Sequence, residues 1–125
     1  MSVTHTILFR FKADAKPEDV KAACDRFLAL RETCLHPTSN SVYIRSLKGG
    51  KDNSPEGLQF HWHLANPGWS PNNKNGATHG FVVEFDSVED RDYYVQTDPT
   101  HQAFVNSIGD LVEKAIVVDF VDGVY

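Results

Sequence analysis

The sequence predicts an α+β fold in which two β-α-β halves form a four-stranded antiparallel sheet with its helices on one face. Three observations lead to this prediction. Four segments carry strand-like hydrophobic patterns, two regions carry helical ones, and their order along the chain is β-α-β followed by β-α-β. The length of 125 residues favours one domain over residues 1–125, with a core that needs no disulfide or structural metal.

The first predicted strand spans about Val3 to Lys12 and has two partly apolar faces. One face carries His5, Ile7, Phe9 and Phe11, and the other carries Thr4, Thr6, Leu8 and Arg10. Apolar character on both faces predicts a helix layer on one side of the sheet and a second subunit on the other.

A helix is predicted from near Pro17 to about Cys34. Proline suits the first helical position, and the acidic residues Glu18 and Asp19 complement the helix dipole in the first turn. Apolar residues recur at spacings of three and four, which predicts one buried stripe. This stripe consists of Val20, Ala23, Phe27, Leu30 and Cys34.

The second predicted strand runs from about Val42 to Lys48, with Val42, Ile44 and Leu47 directed inward. A long loop or insertion is predicted at about 49–77, because glycine and proline recur there among polar residues and Gly49-Gly50 favours a turn.

This loop contains two histidines at chelating spacing, His61 and His63, with His79 as a third candidate ligand. Since no further ligand stands nearby at a suitable spacing, we expect no metal. Residues 60–74 are interpreted as a lid over a cavity mouth, a partner-binding loop or translated intron sequence.

The second half begins with a strand over Thr78 to Phe85, in which His79, Phe81, Val83 and Phe85 share a face. Ser87 to Asp90 resembles a capping box opening a short helix that ends near Gln96. Asp98-Pro99 starts a second helical segment, whose predicted stripe is Phe104, Ile108, Leu111 and Val112. The valine-rich stretch from Ala115 to Val121 predicts the last strand. This order of elements is the ferredoxin-like plan.

Charge and composition exclude several classes of partner. The chain has 12 basic and 17 acidic residues, a net charge of −5, and its basic residues are scattered. We therefore expect no nucleic-acid or membrane partner. The chain also lacks a signal-peptide pattern, which favours a cytoplasmic location. Cys24 and Cys34 are ten positions apart on one predicted helix, too far for a disulfide, so we expect them to be reduced.

The sheet face opposite the helices predicts a homodimer. Its residues, namely Thr6, Leu8, Val82 and either Ile116 or Val118, are too apolar to remain in water. A two-fold dimer through this open sheet face would cover them with one self-complementary patch.

Three stretches of the chain resemble the stress-responsive dimeric α/β-barrel family. They are the opening Val3 to Lys12, the strand Thr78 to Phe85, and the stretch Asp98 to Phe104, which has the pattern D/H-P-x-H-x-x-F. The resemblance implies a ferredoxin-like subunit and a barrel-forming homodimer. The best understood enzyme of that family, the plant olivetolic acid cyclase, folds a linear polyketide by an intramolecular aldol step without a cofactor.

The resemblance also implies a set of site residues. His101 corresponds to the cyclase's histidine base, and Tyr94 is the approximate equivalent of its tyrosine, with Val95 as a competitor for that position. Asp98 stands where the cyclase has a second histidine; it either orients the imidazole or, as we favour, caps the helix. The candidate substrate-binding residues are His5, Ile7, Phe9, Phe27, His79 and Phe81.

The predicted function is a cofactor-independent polyketide cyclase or lyase-like reaction on a small aromatic or poly-β-keto ligand. Such a reaction needs a base, a donor for the enolate oxygen and a dry cavity. In the first alternative, the protein is a non-catalytic stress-response dimer whose phenylalanines fill the cavity. His5 and His79 then bond one another or the backbone. The second alternative, based on fold analogy, is a cofactor-free monooxygenase.

Overall fold

The computed structural model of the protein describes residues 1–55 and 76–125. These described residues form four strands and three helices in the order β-α-β-β-α-α-β. They are β1 (Val3–Phe11), α1 (Pro17–Thr33), β2 (Ile44–Lys51), β3 (His79–Phe85), α2 (Val88–Gln96), α3 (Pro99–Ile108) and β4 (Val112–Phe120). The predicted division of the second helical region at Asp98-Pro99 is confirmed.

The strands form one antiparallel sheet in the order β2-β3-β1-β4. Strand β1 lies in the middle, where Ile7 pairs with Phe81 of β3 on one side and Val117 of β4 on the other. The predicted ferredoxin-like α+β fold with a four-stranded antiparallel sheet is therefore confirmed.

The core lies between the sheet and the helices. The odd-numbered residues of β1 are all buried, as its alternation predicts. Helix α1 contributes Ala23, Phe27 and Leu30 to this layer, and α3 contributes Phe104 and Ile108. Each set recurs at helical spacing, so one stripe of each helix packs on one face of the sheet.

Helix ends follow the expected local chemistry. Pro17 occupies the first turn of α1, and the backbone N–H of Cys34 donates to the carbonyl of Leu30 at the other end. The side chain of Ser87 accepts from the backbone N–H of Asp90 and thereby caps α2. These bonds satisfy backbone groups that a helix leaves open at its termini.

Strand β2 differs from its prediction at both ends. Val42 is 51% exposed instead of inward, and the strand continues through Gly49, Gly50 and Lys51. The predicted turn at Gly49-Gly50 is therefore wrong. A Cβ at Gly49 would overlap the ring of Phe81 on the adjacent strand, so a glycine is needed inside this strand.

The junction between α3 and β4 also differs from its prediction. Leu111 and Val112, expected on the helix stripe, lie beyond the end of α3, and Val112 begins β4. The backbone of Leu111 already joins the sheet, because its carbonyl accepts from the N–H of Lys12. Both side chains still pack against the core.

The remainder of the predicted long loop lies mostly outside the described residues. This holds for residues 60–74 and for the candidate metal ligands His61 and His63. Within 1–55 and 76–125, no helix is long and apolar enough to cross a membrane.

Candidate active site

The structure brings three predicted site residues together at one end of the sheet: His5, Tyr94 and His101. The His101 ring stacks on Tyr94 with centroids 3.8 Å apart and 28° between the planes. The His5 ring meets Tyr94 edge-on at 5.9 Å. These residues come from β1, α2 and α3, so the site depends on the packing of three elements.

Helix α2 directs Tyr94 into the interior. Tyr94 is fully buried, whereas Val95 is 38% exposed and Tyr93 is half-buried. Neighbouring residues on a helix are about 100° apart, so only one of the three can face the sheet squarely. Tyr94, and not its competitor Val95, therefore lies beside His101.

The first turn of α3 holds His101 in place. One carboxylate oxygen of Asp98, Oδ1, accepts from the backbone N–H of Thr100 at 2.9 Å and of His101 at 3.3 Å. The predicted N-cap at Asp98 is thus confirmed. The other oxygen, Oδ2, accepts from the hydroxyl of Tyr43 at 2.5 Å.

Two buried polar atoms of the stacked pair, Tyr94 Oη and His101 Nδ1, have no hydrogen-bond partner within residues 1–55 and 76–125. Buried polar side-chain atoms are usually hydrogen-bonded, because leaving one unsatisfied costs about 1–3 kcal/mol. An unpartnered donor and acceptor side by side are a feature that a bound polar ligand would satisfy.

The electrostatics suit an uncharged pair. Burial lowers the pKa of His101; the nearby charge of His5 adds to this, while the Tyr94 backbone and Asp98 oppose it. Burial raises the pKa of the Tyr94 hydroxyl, with further contributions from Cys34 and Asp98. Near neutral pH, His101 is therefore a neutral proton acceptor and Tyr94 a protonated donor.

A series of ion pairs behind His5 was not predicted from the sequence. His5 Nδ1 donates to Asp119 Oδ1 at 2.6 Å, and Arg91 Nη1 donates to Asp119 Oδ2 at 2.7 Å. Arg91 also donates through Nε to Asp92. The signal available was the single acid in the otherwise apolar run from Ile116 to Phe120, at the parity that faces the helices.

His79 lies at the other end of the sheet. His5 pairs with Val83 and His79 with Phe9, so the two histidines are four pairs apart, about 13 Å along the strand. The suggested bond between them is not formed. His79 instead contacts Thr78 Oγ1 at 3.0 Å, and burial, aided by the charge of Lys51, lowers its pKa.

The apolar substrate-binding candidates fill the centre of the layer. Phe27 stacks on Phe81 with centroids 4.3 Å apart, and Phe9 meets both rings at 5.8 Å. Ile7 is buried beside them, and Phe104 packs on Phe27 at 5.0 Å. Their contact with a substrate stays a prediction, since here they contact one another.

No group of three metal-ligating side chains occurs in the part of the chain that the structure describes. The candidate third ligand, His79, is within that part, but its proposed companions His61 and His63 are not. Cys24 and Cys34 are free thiols, and burial raises the pKa of Cys34 to about 12.

Comparison with protein-family models decides the family. Residues 3–122 match the model described as Stress responsive A/B Barrel Domain. The chain belongs to this family. The match spans both β-α-β halves and the site at the His5 end of the sheet.

Solved structures share the fold of this stress-responsive barrel domain over nearly the whole chain. A protein of Arabidopsis thaliana superimposes with a TM-score of 0.72 and 24% identity, covering 98% of this chain and 97% of that one. A hydroxynitrile lyase of Passiflora edulis superimposes with a TM-score of 0.70 and 18% identity, covering 99% of this chain and 96% of that one. A dimeric ferredoxin-like protein of Bacteroides fragilis superimposes with a TM-score of 0.57 and 21% identity, covering 95% of this chain and 94% of that one. No curated protein sequence matches the chain significantly.

In the described part of the chain, the face of the barrel-domain sheet opposite α1 and α3 is apolar. Leu8, Ile116, Val118 and Phe120 alternate onto this face and are 38–57% exposed. A shallow depression of about 360 Å³ opens there beside Leu8, Gly80 and Ile116. It is separated from the His101 site by the sheet itself.

Proposed function

We propose that this barrel-domain protein is a cofactor-independent acid–base enzyme, polyketide cyclase or lyase-like, acting on a small aromatic or poly-β-keto substrate. In this proposal His101 is the general base and Tyr94 the hydrogen-bond donor. The observation that carries the proposal is the stacked pair of buried side chains whose Nδ1 and Oη atoms lack partners in the described chain.

The reaction follows from the protonation states of the pair. Neutral His101 would remove a proton from the carbon between two carbonyl groups, and the resulting enolate oxygen would accept a hydrogen bond from Tyr94. In a cyclase, the enolate carbon then attacks a distant carbonyl of the same chain, and the imidazolium returns its proton to the new alkoxide. The proton count is conserved, and no electron acceptor is needed.

The same pair also suits a lyase reaction. The similar Passiflora edulis protein is a hydroxynitrile lyase. Cleavage of a hydroxynitrile begins with removal of a hydroxyl proton, and the pair would supply the base. This fold similarity extends the substrates worth testing to aromatic hydroxynitriles.

The test is a turnover and calorimetric binding screen of aromatic acids, poly-β-keto acids and hydroxynitriles. For a compound turned over, we expect His101→Ala and Tyr94→Phe to lower kcat/KM by about 10²–10⁴-fold. Tyr93→Phe is the matched control, because it removes a hydroxyl from the adjacent, half-buried ring. Equal turnover by His101→Ala and the wild type would overturn the assignment of the base.

A second candidate function has one observation in its favour. The packed rings of Phe9, Phe27 and Phe81 occupy the centre of the layer where a substrate chain would lie. The protein is then a non-catalytic dimer whose histidines have structural roles. Absence of binding and turnover for every compound of the screen would favour this function.

We also propose that the protein is a homodimer that pairs through the open sheet face. The exposed Leu8, Ile116, Val118 and Phe120 support this interface, since such apolar side chains are unfavourable in water. The similar proteins of Bacteroides fragilis and Thermobifida fusca are described as dimeric and ferredoxin-like.

A further inference from the structure

A buried polar cluster lies at the first turn of α3. It consists of Asp98, Tyr43 and Cys34, which are 1%, 8% and 0% exposed. Asp98 connects three elements, because its backbone N–H also donates to the carbonyl of Tyr93 near the end of α2. The proposed reaction uses none of these side chains directly.

The carboxylate of Asp98 is the charged centre of this cluster. Its Oδ1 accepts from two backbone N–H groups, one of them that of His101, and its Oδ2 accepts from Tyr43. Burial and the neighbouring Asp98 raise the pKa of both the Tyr43 hydroxyl and the Cys34 thiol. Both groups therefore stay protonated near neutral pH, and the carboxylate contributes the negative charge.

Titratable groups face His101 from several elements. Tyr94 faces the His101 ring from α2, and His5 faces it from β1. The ion pair between Asp119 of β4 and Arg91 of α2 lies behind His5. Asp98 is the N-cap of α3, the helix that carries His101. Burial has the largest effect on the pKa of His101 and lowers it; the Tyr94 backbone and, to a smaller extent, Asp98 favour the protonated imidazole, whereas His5 disfavours it. The Asp98 carboxylate is only 1% exposed and bonds the backbone N–H of His101, so little water screens its charge from the imidazole of the same residue.

We propose that Asp98 is a positioning residue whose charge, moderated by the hydrogen bond from Tyr43, tunes how readily His101 accepts a proton. The importance of this tuning for turnover rests on the proposed function. The tuning itself does not, because it is a property of the folded protein and is measurable without a substrate.

The proposal predicts opposite effects for two substitutions. Tyr43→Phe removes the donor to Oδ2, so less of the carboxylate charge is compensated and the protonated form of His101 becomes more favourable. Asp98→Asn removes the charge but keeps a side-chain oxygen suited to an N-cap, so the protonated form becomes less favourable. A purely structural cluster would give no such reversal of sign.

The experiment is an NMR pH titration of the imidazole signals, in which the His101 signal is assigned by its absence from His101→Asn. We expect the midpoint of His101 to move upward in Tyr43→Phe and downward in Asp98→Asn. Tyr93→Phe is the matched control: its ring contacts Tyr43 at a centroid distance of 5.7 Å, and we expect it to leave the midpoint unchanged.

Two outcomes would overturn the proposal: a midpoint unchanged in both variants, or one displaced in the same direction in both. Far-ultraviolet circular dichroism on the same samples confirms that each variant is folded. If the midpoints move as expected while His101→Ala retains full turnover, the tuning stands and the proposed role of His101 as base fails. The two proposals therefore fail separately.

Discussion

At the scale of single residues, Gly49 shows how one contact determines which residue a strand accepts. Gly49 pairs with Phe81 across the sheet, and the Phe81 ring occupies the space where a Cβ would be. That Cβ would also lie 2.5 Å from the carbonyl oxygen of Gly80. At the neighbouring Gly50, no atom of residues 1–55 and 76–125 lies within 4 Å of the corresponding position.

We therefore expect Gly49→Ala to lower the free energy of unfolding by about 1–3 kcal/mol, because the core must move to admit one methyl group. Gly50→Ala is the matched control and should change the free energy of unfolding by less than about 0.5 kcal/mol. Urea unfolding of both variants measures the difference. Equal stability of the two variants would contradict the overlap.

The histidines predict how stability depends on pH. Burial lowers the pKa of both His101 and His79 from the ordinary value of 6.5. Below about pH 6.5 the unfolded chain therefore binds protons that the folded chain does not, and the free energy of unfolding decreases as the pH is lowered. Above that value, both groups are neutral in either state and their contribution is fully present.

The measurement is urea unfolding at intervals between pH 7.5 and pH 5. We expect the wild type to lose stability as the pH falls, and His101→Asn to lose less over the same interval. If the free energy of unfolding of His101→Asn changed with pH as steeply as that of the wild type, protonation of this imidazole would not be linked to folding.

At this scale, local patterns predicted where side chains face, whereas the roles of His101 and Tyr94 were implied only by the family resemblance. The alternation of β1 indicates that His5 faces the helices, and the pattern around Asp98 and His101 indicates a capped helix start. The bond from His5 to Asp119 was not predictable, because it joins residues 114 positions apart. Which side chains meet across two strands depends on the exact pairing of their residues, and the local patterns of each strand do not specify that pairing.

At the scale of elements, α2 depends on its N-terminal cap. This nine-residue helix has one buried residue, Tyr94, so packing contributes less to it than to α1. The hydroxyl of Ser87 accepts from the backbone N–H of Asp90 at 3.1 Å. Short helices are marginal by themselves, which increases the importance of such a bond.

We expect Ser87→Ala to lower the free energy of unfolding by about 1 kcal/mol, since it leaves an N–H without its acceptor. Ser87→Asp restores an acceptor and should recover most of the loss. Thermal unfolding of the three proteins measures this series. If Ser87→Asp were as unstable as Ser87→Ala, the cap would not be the cause.

Element boundaries were predictable where the breaking residue acts locally. Asp98-Pro99 ends one helix and starts another by its own backbone chemistry, and the structure agrees. Gly49-Gly50 has the composition of a turn, yet the pair lies in β2, and the glycine at position 49 is required by the Phe81 ring on the adjacent strand. Local sequence rules do not predict a residue type that is required by a contact with another strand.

At the scale of the whole molecule, the helices cover the sheet unevenly. Val117 and Val118 point to opposite faces of β4, and they are 54% and 57% exposed. Strand β4 also forms one edge of the sheet. An edge strand with exposed apolar side chains is a liability in a monomer, and pairing with a second subunit through the open face would cover Val118.

A charge on the open face should dissociate the proposed dimer, whereas a charge on the helix layer should not. A lysine at position 118 would place a charge in the middle of the apolar open face, where burial is costly. We expect light scattering after size exclusion to give twice 14.0 kDa for the wild type and 14.0 kDa for Val118→Lys at micromolar concentration. Val105→Lys is the matched control, because Val105 is 43% exposed on the helix layer and should leave the dimer intact. A wild-type mass of 14.0 kDa, or dissociation by both substitutions, would mean that the open face is not the interface.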